Sequence, residues 1–302
     1  MKRLPWWFLL VVWIGLSGCT AGALEPSAAA SGDSVQYIQN KGSDTMVNLA
    51  LAWAERYQQL YPEVSISVTG GGSGTGIAAL INGTVDIANA SRTIKSEETQ
   101  QAEQKGNTPV ETVVARDAIA VIVNPNNPVQ QLSIEQISLI YRGEINNWKE
   151  VGGEDRPIVR LSRETNSGTH VYFLEEVVRL GESENKAIFS SDTLLLPSSE
   201  GIIAEVRDNP NALGYDGLGY VTHEVKVLAI ARTAQGPYIL PSAETVNAQS
   251  YPIARDLYMY TLHSPEGAIK TYLDWVLSSE AQDIVKELGF VPLSSVAEAA
   301  AQ

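Results

Sequence analysis

The chain has 302 residues, 44% of them hydrophobic, with 24 glycines, three histidines, one cysteine and a formal net charge of −14. That acidity excludes a general nucleic-acid binder, whose affinity rests on a basic surface. A lone cysteine excludes an internal disulfide, and His170, His223 and His263 lack the spacing of a metal site, so neither a metal nor a cofactor is expected.

The first predicted element is a lipoprotein-type leader over 1–18. Lys2 and Arg3 make a basic start, Trp6 to Leu16 an apolar run, and Leu16-Ser17-Gly18-Cys19 resembles a lipobox. The run has 11 residues, too few at ~1.5 Å each to cross a hydrocarbon core of ~30 Å, so it reads as a cleavable leader. Cys19 lies where a diacylglyceryl thioether would form, which favours a lipid anchor over an ordinary secretory leader. Loss of Lys2 and Arg3 with the leader takes the net charge from −14 to −16. Residues 19–34, rich in Ala, Ser and Gly, read as a flexible tether, with folding starting near Val35.

Gly42-Ser43-Asp44-Thr45 leads into Met46, Leu49, Ala50, Trp53, Tyr57 and Leu60 at helical spacing, and Pro62 closes that helix. Val64 to Val68 alternates as a strand and runs into Gly70-Gly71-Gly72-Ser73-Gly74-Thr75-Gly76, after which Ile77, Leu80 and Ile81 begin a second helix. Val85 to Ala88 predicts a short strand leading to Ser91 and Arg92, and Ala118 to Val123 a strand buried on both faces, broken by Asn124-Pro125-Asn126-Asn127-Pro128. A helix over 133–141 and a strand over 157–161 precede Arg163-Glu164-Thr165-Asn166-Ser167-Gly168-Thr169, which opens a helix reaching about Leu180. Gly214 to Tyr220 lies between strand signals. Leu257 to Thr261 is a late strand, and helices around 269–277 and 281–288 end at Gly289.

Strands alternating with helices imply an α/β fold with mostly parallel sheets, whose ligands bind where strands hand over to helices. Three hydroxyl-rich turns, at 42–45, 70–76 and 163–169, stand at helix starts. First-turn N–H groups lack intrahelical partners and carry the positive end of the helix dipole, glycine admits close approach, and Ser and Thr add rotatable donors. Such turns can enclose an oxyanion without a metal, and the planar fork of Arg163 suits its oxygens. The glycine stretch fits neither the phosphate loop, since no Gly-Lys-Ser/Thr follows, nor the dinucleotide fingerprint, since Ile77 stands where the third glycine belongs. No Gly-x-Ser-x-Gly elbow surrounds Ser43, Ser73 or Ser167, so no catalytic residue is assigned and an enzyme is not expected.

These residues resemble the PstS-type phosphate-binding proteins of bacterial phosphate ABC importers, in their shorter lipoprotein branch. The likeness runs from about Tyr37 to Leu293 and includes Gly42 to Met46, the 70–76 stretch with Asn82-Gly83-Thr84-Val85-Asp86-Ile87 behind it, Asn147 to Gly153, Ser162 to Thr169 and Leu218-Gly219-Tyr220-Val221. The resemblance implies a type II periplasmic-binding-protein fold with lobe 1 over 35–124 and 252–302, lobe 2 over 125–251, and a ligand cleft between them. It implies a monomer, anchored outside the cytoplasm through lipid on Cys19, that captures inorganic phosphate and passes it to ABC permease subunits.

By motif, the phosphate contacts are Ser43, Asp44, Thr45, Met46, Ser73, Gly74, Ser91, Arg92, Arg163, Ser167, Gly168 and Thr169. Longer family members carry an Asp where this chain has Arg92, and in them that Asp accepts the proton of the bound phosphate and so rejects sulfate. Arg92 is thus expected to be a positive neighbour of the ligand or a member of a surface or interlobe salt bridge, and Asp44 the nearest replacement acceptor or a mere helix cap. The competing readings are a sulfate, molybdate or tungstate receptor, a secreted phosphohydrolase, and a sensor or adhesin on the same fold. The leader reading predicts that Cys19→Ala releases the protein from membranes without changing ligand affinity, which fractionation after a high-salt wash and a binding titration of the released protein will show.

Overall fold

A computed structural model describes residues 35–293, so the leader, the tether and Cys19 lie outside the described residues. In chain order the strands and helices are β1 (Gln36–Gly42), α1 (Val47–Leu60), β2 (Val64–Thr69), α2 (Ser73–Ile81), β3 (Ile87–Ala90), α3 (Ser96–Gln104) and β4 (Val110–Val123). There follow β5 (Gln131–Ser133), α4 (Ile134–Tyr141), β6 (Val159–Arg163), α5 (Gly168–Phe173), β7 (Leu194–Leu196), α6 (Ser199–Asp208) and β8 (Ala212–Gly217). The chain finishes with β9 (Lys226–Val227), β10 (Ala229–Ala231), α7 (Ala243–Asn247), β11 (Ala254–Thr261), α8 (Gly267–Val276) and α9 (Ser279–Glu287). Among these, no helix is long and apolar enough to cross a membrane.

One curled sheet runs in the order β2-β1-β3-β11-β4-β8-β6-β7, with β9 also on β4 and a separate β10-β5 pair. Its wings are parallel, β1 with β2 and β3 on one side and β6 with β7 and β8 on the other. Every antiparallel pairing involves β4 or β11. β4 is the reason the two wings form one sheet: residues 110–118 pair with β11, and 119–123 pair with β8. Its final seven residues are all buried, so the apolar run starting at Ala118 is only the second half of a longer strand.

Burial explains the helices. Leu49, Ala50, Trp53, Ala54 and Tyr57 put one face of α1 against β1, β2 and the C-terminal helices, and the Trp53 indole N–H donates to the Ala281 carbonyl at 2.9 Å. A second apolar cluster, with Val121, Leu132, Tyr141, Phe173 and Tyr215, fills the other wing, where the Phe173 and Tyr215 rings stack at 3.5 Å.

Three expectations shift. The short strand lies at 87–90 rather than 85–88, and β6 at 159–163 rather than 157–161, because Pro157 makes only an isolated bridge to Asn147. The glycine-bearing segment from 214 is mostly strand, since Ala212 to Gly217 are all buried between β4 and β6. Trp53→Ala is expected to remove ~3–5 kcal/mol of stability, the usual cost of emptying a buried aromatic site, measured by urea denaturation.

Candidate anion-binding site

The three hydroxyl-rich turns sit at strand-to-helix handovers: β1 into a 3-10 turn at Asp44–Met46 and then α1, β2 into α2, and β6 into α5. The fold brings them together. Thr45 Oγ1 lies 2.8 Å from Thr169 Oγ1, and Ser73 Oγ lies 3.3 Å from Ser91 Oγ and accepts the Ser91 N–H at 3.0 Å. The Gly74 N–H donates to the Asn166 carbonyl at 3.1 Å, and the Asn166 amide donates to the Gly71 carbonyl at 2.9 Å. Two glycines permit this approach. A Cβ on Gly168 would stand 2.3 Å from Ser73 Oγ and 2.5 Å from Ser91 Oγ, and Gly72, at φ +87°, passes so close to Asn166 that a Cβ would meet its carbonyl at 2.7 Å.

Arg163 lies at the end of β6 and is 1% exposed. Its Nη2 donates to Asp44 Oδ2 at 3.0 Å and to the Pro197 carbonyl at 2.9 Å, while Nη1 donates to Ser199 Oγ at 2.8 Å and stands 3.5 Å from Asp216 Oδ2. Asp44 does not cap its own helix, which corrects the capping alternative: Oδ1 accepts the Gly71 N–H at 2.7 Å, and Oδ2 takes Arg163 from the opposite wing of the sheet. Burial pushes the Asp216 carboxyl above the usual range, opposed by the charge of Arg163. Ser43 Oγ and Arg163 Nε are buried without a hydrogen-bond partner among the described residues.

Not every expected contact is free to serve. Arg92 does not present a bare cation: its two terminal nitrogens hold the Glu98 carboxylate at 2.8 and 2.7 Å, so the positive neighbour expected at this position is neutralised within its own segment. Met46 is fully buried in the apolar core and its N–H donates to the Ser43 carbonyl, so its polar capacity is spent inside the turn. Ser167 caps α5, with Oγ accepting the Thr169 N–H at 3.2 Å, and its own proton remains to be donated.

Four residues escaped the sequence reading. Asp117 and Arg255 face each other across β4 and β11, and Arg255 reaches Thr169; Ser199 and Asp216 complete the surroundings of Arg163. The signal for the first pair was a charged residue directly beside an apolar strand run, Asp117 before Ala118–Val123 and Arg255 before Leu257–Thr261, where a buried charge is tolerated only when paired. His170, next to Thr169, shares a hydrogen bond with Ser162 at 3.0 Å, and burial holds its pKa below the usual value. Among the described residues no group of His, Cys, Asp or Glu side chains could hold a metal ion. A cavity of about 560 Å³ adjoins the cluster at Arg92 and Arg255.

Comparison with known proteins agrees with this geometry. Residues 27–280 match the PBP superfamily domain. The phosphate-binding protein PstS of Pseudomonas aeruginosa PAO1 is 33% identical over 281 residues, covering 87% of this chain and 85% of that protein. This chain belongs to the PstS-type phosphate-binding proteins. The PstS of Bacillus subtilis is 31% identical over 256 residues, covering 84% of this chain and 80% of the relative. Among solved structures, a Clostridium perfringens ABC transporter substrate-binding protein assigned to phosphate, with phosphate bound, superposes with a TM-score of 0.76 at 32% identity, covering 86% of this chain and 100% of that one. The two-winged α/β sheet of this PstS-type chain is therefore the periplasmic-binding-protein fold. Gly168→Ala is expected to destabilise the protein by ~1–3 kcal/mol, as overpacking does, because the two serine hydroxyls it would strike are on short side chains; thermal unfolding beside the parent measures this.

Proposed function

We propose that this chain is an extracytoplasmic receptor that captures inorganic phosphate and delivers it to an ABC importer in the membrane. The observation that carries the reading is the convergence of three hydroxyl-rich helix starts on one another, with the buried Arg163 joined to the first of them through Asp44, in a chain whose PstS relatives are named for phosphate binding. A buried donor without an acceptor costs ~1–3 kcal/mol, and Ser43 Oγ and Arg163 Nε are two such donors that an oxyanion would satisfy.

In this reading the lobes are 35–124 with 252–302, and 125–251, and they close over the ligand, which strengthens every hydrogen bond as water leaves. Charge-assisted bonds contribute roughly 1.5–3 kcal/mol each, so a handful exceeds the cost of association. Ser43, Thr45, Ser73, Gly74, Ser91, Ser167, Gly168 and Thr169 supply or shape the donors, and Arg163 supplies the cation. The protein acts as a monomer held to the membrane by lipid on Cys19, and it has no catalytic residue.

Asp44 supplies the acceptor. Its carboxylate lies beside the main cation, where a protonated phosphate can donate to it and sulfate, having no proton, cannot. Calorimetry with phosphate, arsenate and sulfate tests the whole reading, and a parent protein that prefers sulfate refutes it. Arg163→Ala is expected to weaken phosphate binding by at least ~2 kcal/mol, with Arg163→Lys recovering part of the loss because a point charge cannot reproduce the fork. Asp44→Asn is expected to narrow the phosphate-over-sulfate preference at pH 7 by about tenfold or more, the effect of one buried acceptor worth ~1–3 kcal/mol. Circular dichroism of each variant confirms that the fold is intact.

A further inference from the structure

Arg255 is a further buried guanidinium near the three turns, besides Arg92 and Arg163, and no motif marks it. Its side chain is 2% exposed and its partner Asp117 fully buried. The two stand opposite each other in the β4/β11 ladder, at the point where β4 leaves β11 to pair with β8. Arg255 Nε and Nη2 both donate to Asp117 Oδ2, at 3.2 and 2.9 Å, and the other carboxylate oxygen accepts the Leu218 N–H at 3.1 Å.

The rest of the guanidinium points into the site. Nη1 donates to the Ser91 carbonyl at 2.9 Å, and Nη2 reaches Thr169 Oγ1 at 3.0 Å and Thr45 Oγ1 at 3.5 Å. One cation thus touches the Gly42–Met46 turn, the end of the β3 segment and the β6–α5 turn at once. A buried ion pair is a poor way to stabilise a fold, since apolar residues of the same volume usually do as well, so the direction of the free edge calls for an explanation in terms of the hydroxyls.

We infer that Arg255, aligned by Asp117, is a positioning residue for the anion site that sets the hydroxyl dipoles of Thr45 and Thr169. The inference rests on the phosphate reading above. A guanidinium can only donate, so lone pairs of the threonine oxygens are turned toward Arg255. The two hydroxyls, 2.8 Å apart, share one of their protons, and the other is directed away from the cation as a donor. That face of the site therefore offers one hydrogen to a ligand and has three of its four hydroxyl lone pairs already committed, so a phosphate proton is better placed on the carboxylate of Asp44. Without Arg255 either hydroxyl can rotate and present a lone pair to the anion.

Two variants and a cycle test this by phosphate calorimetry, with ligand-free melting curves alongside. A parent that fails to bind phosphate refutes the phosphate reading and leaves no basis for this one; the following outcomes concern Arg255 in a parent that binds. Arg255→Gln with Asp117→Asn keeps a cross-strand amide pair without either charge, and is expected to lose at least about tenfold in affinity while melting near the parent. Arg255→Lys keeps the charge and the fold but cannot reach both threonines and the Ser91 carbonyl. It is expected to weaken binding about fivefold in the parent and hardly at all in a Thr169→Val background, because the lysine's loss is already contained in the loss of that hydroxyl. Parental affinity in a folded Arg255→Gln/Asp117→Asn protein overturns the inference, and so do losses from Arg255→Lys and Thr169→Val that simply multiply. Should the double variant fail to fold, the cycle alone decides.

Discussion

Burying a guanidinium between two wings of a sheet is tolerable only if carboxylates follow it, and the centre of this molecule is built on that requirement. Arg163 and Arg255 are both almost wholly buried, and they are met by Asp44, Asp216 and Asp117. Removing one member of such a group leaves the other charge stranded, at a cost of ~3–5 kcal/mol. The pairs therefore lock the relative placement of strands far apart in sequence: Asp44 follows β1, Arg163 ends β6, Asp117 lies in β4 and Arg255 in β11. The hydroxyl groups of Thr45, Ser73, Ser91 and Thr169 are in turn positioned by that frame.

The frame also resolves an apparent conflict between an acidic protein and an anionic ligand. At a Debye length of ~8 Å in physiological salt, surface carboxylates are largely screened from a buried site, whereas donors in direct contact are not. Arg92 illustrates how local the balance is. Its sequence position makes it a positive neighbour of the ligand, but Glu98, six residues later at the start of α3, takes both of its terminal nitrogens. In the reading proposed for this PstS-type chain, selectivity then falls to a carboxylate at Asp44 as acceptor and to hydroxyls whose lone pairs are turned to Arg255.

Local pattern carried much of this. The three turns were legible because each opens a helical apolar pattern, two of them after a strand signal, and glycine with Ser and Thr at a helix start has a definite physical use; β1 before the first turn was not read from the sequence. Trp53 and Tyr57 were legible as core from helical periodicity, and Val121 from its continuous apolar run. Boundaries slipped where tertiary pairing overrode the pattern. Asp117 interrupts the apolar signal of β4, yet it lies within the strand because Arg255 answers it across the ladder. Gly214, Asp216 and Gly217 look like turn residues, yet they are strand because β4 supplies ladder partners for them and Asp216 faces Arg163.

The sequence by itself determined the fold class, the family and the chemistry on offer, since strand-to-helix turns with unpaired N–H groups and hydroxyls follow from short-range rules of backbone and side chain. Only the tertiary structure decided which charges are available to a ligand. Whether Asp44 caps a helix or bridges to Arg163, and whether Arg255 reaches the turns of Thr45 and Thr169, depend on contacts between segments up to 210 residues apart. Coulomb and hydrogen-bond energies fall off within a few ångströms of contact, and no local pattern records which distant partner arrives there.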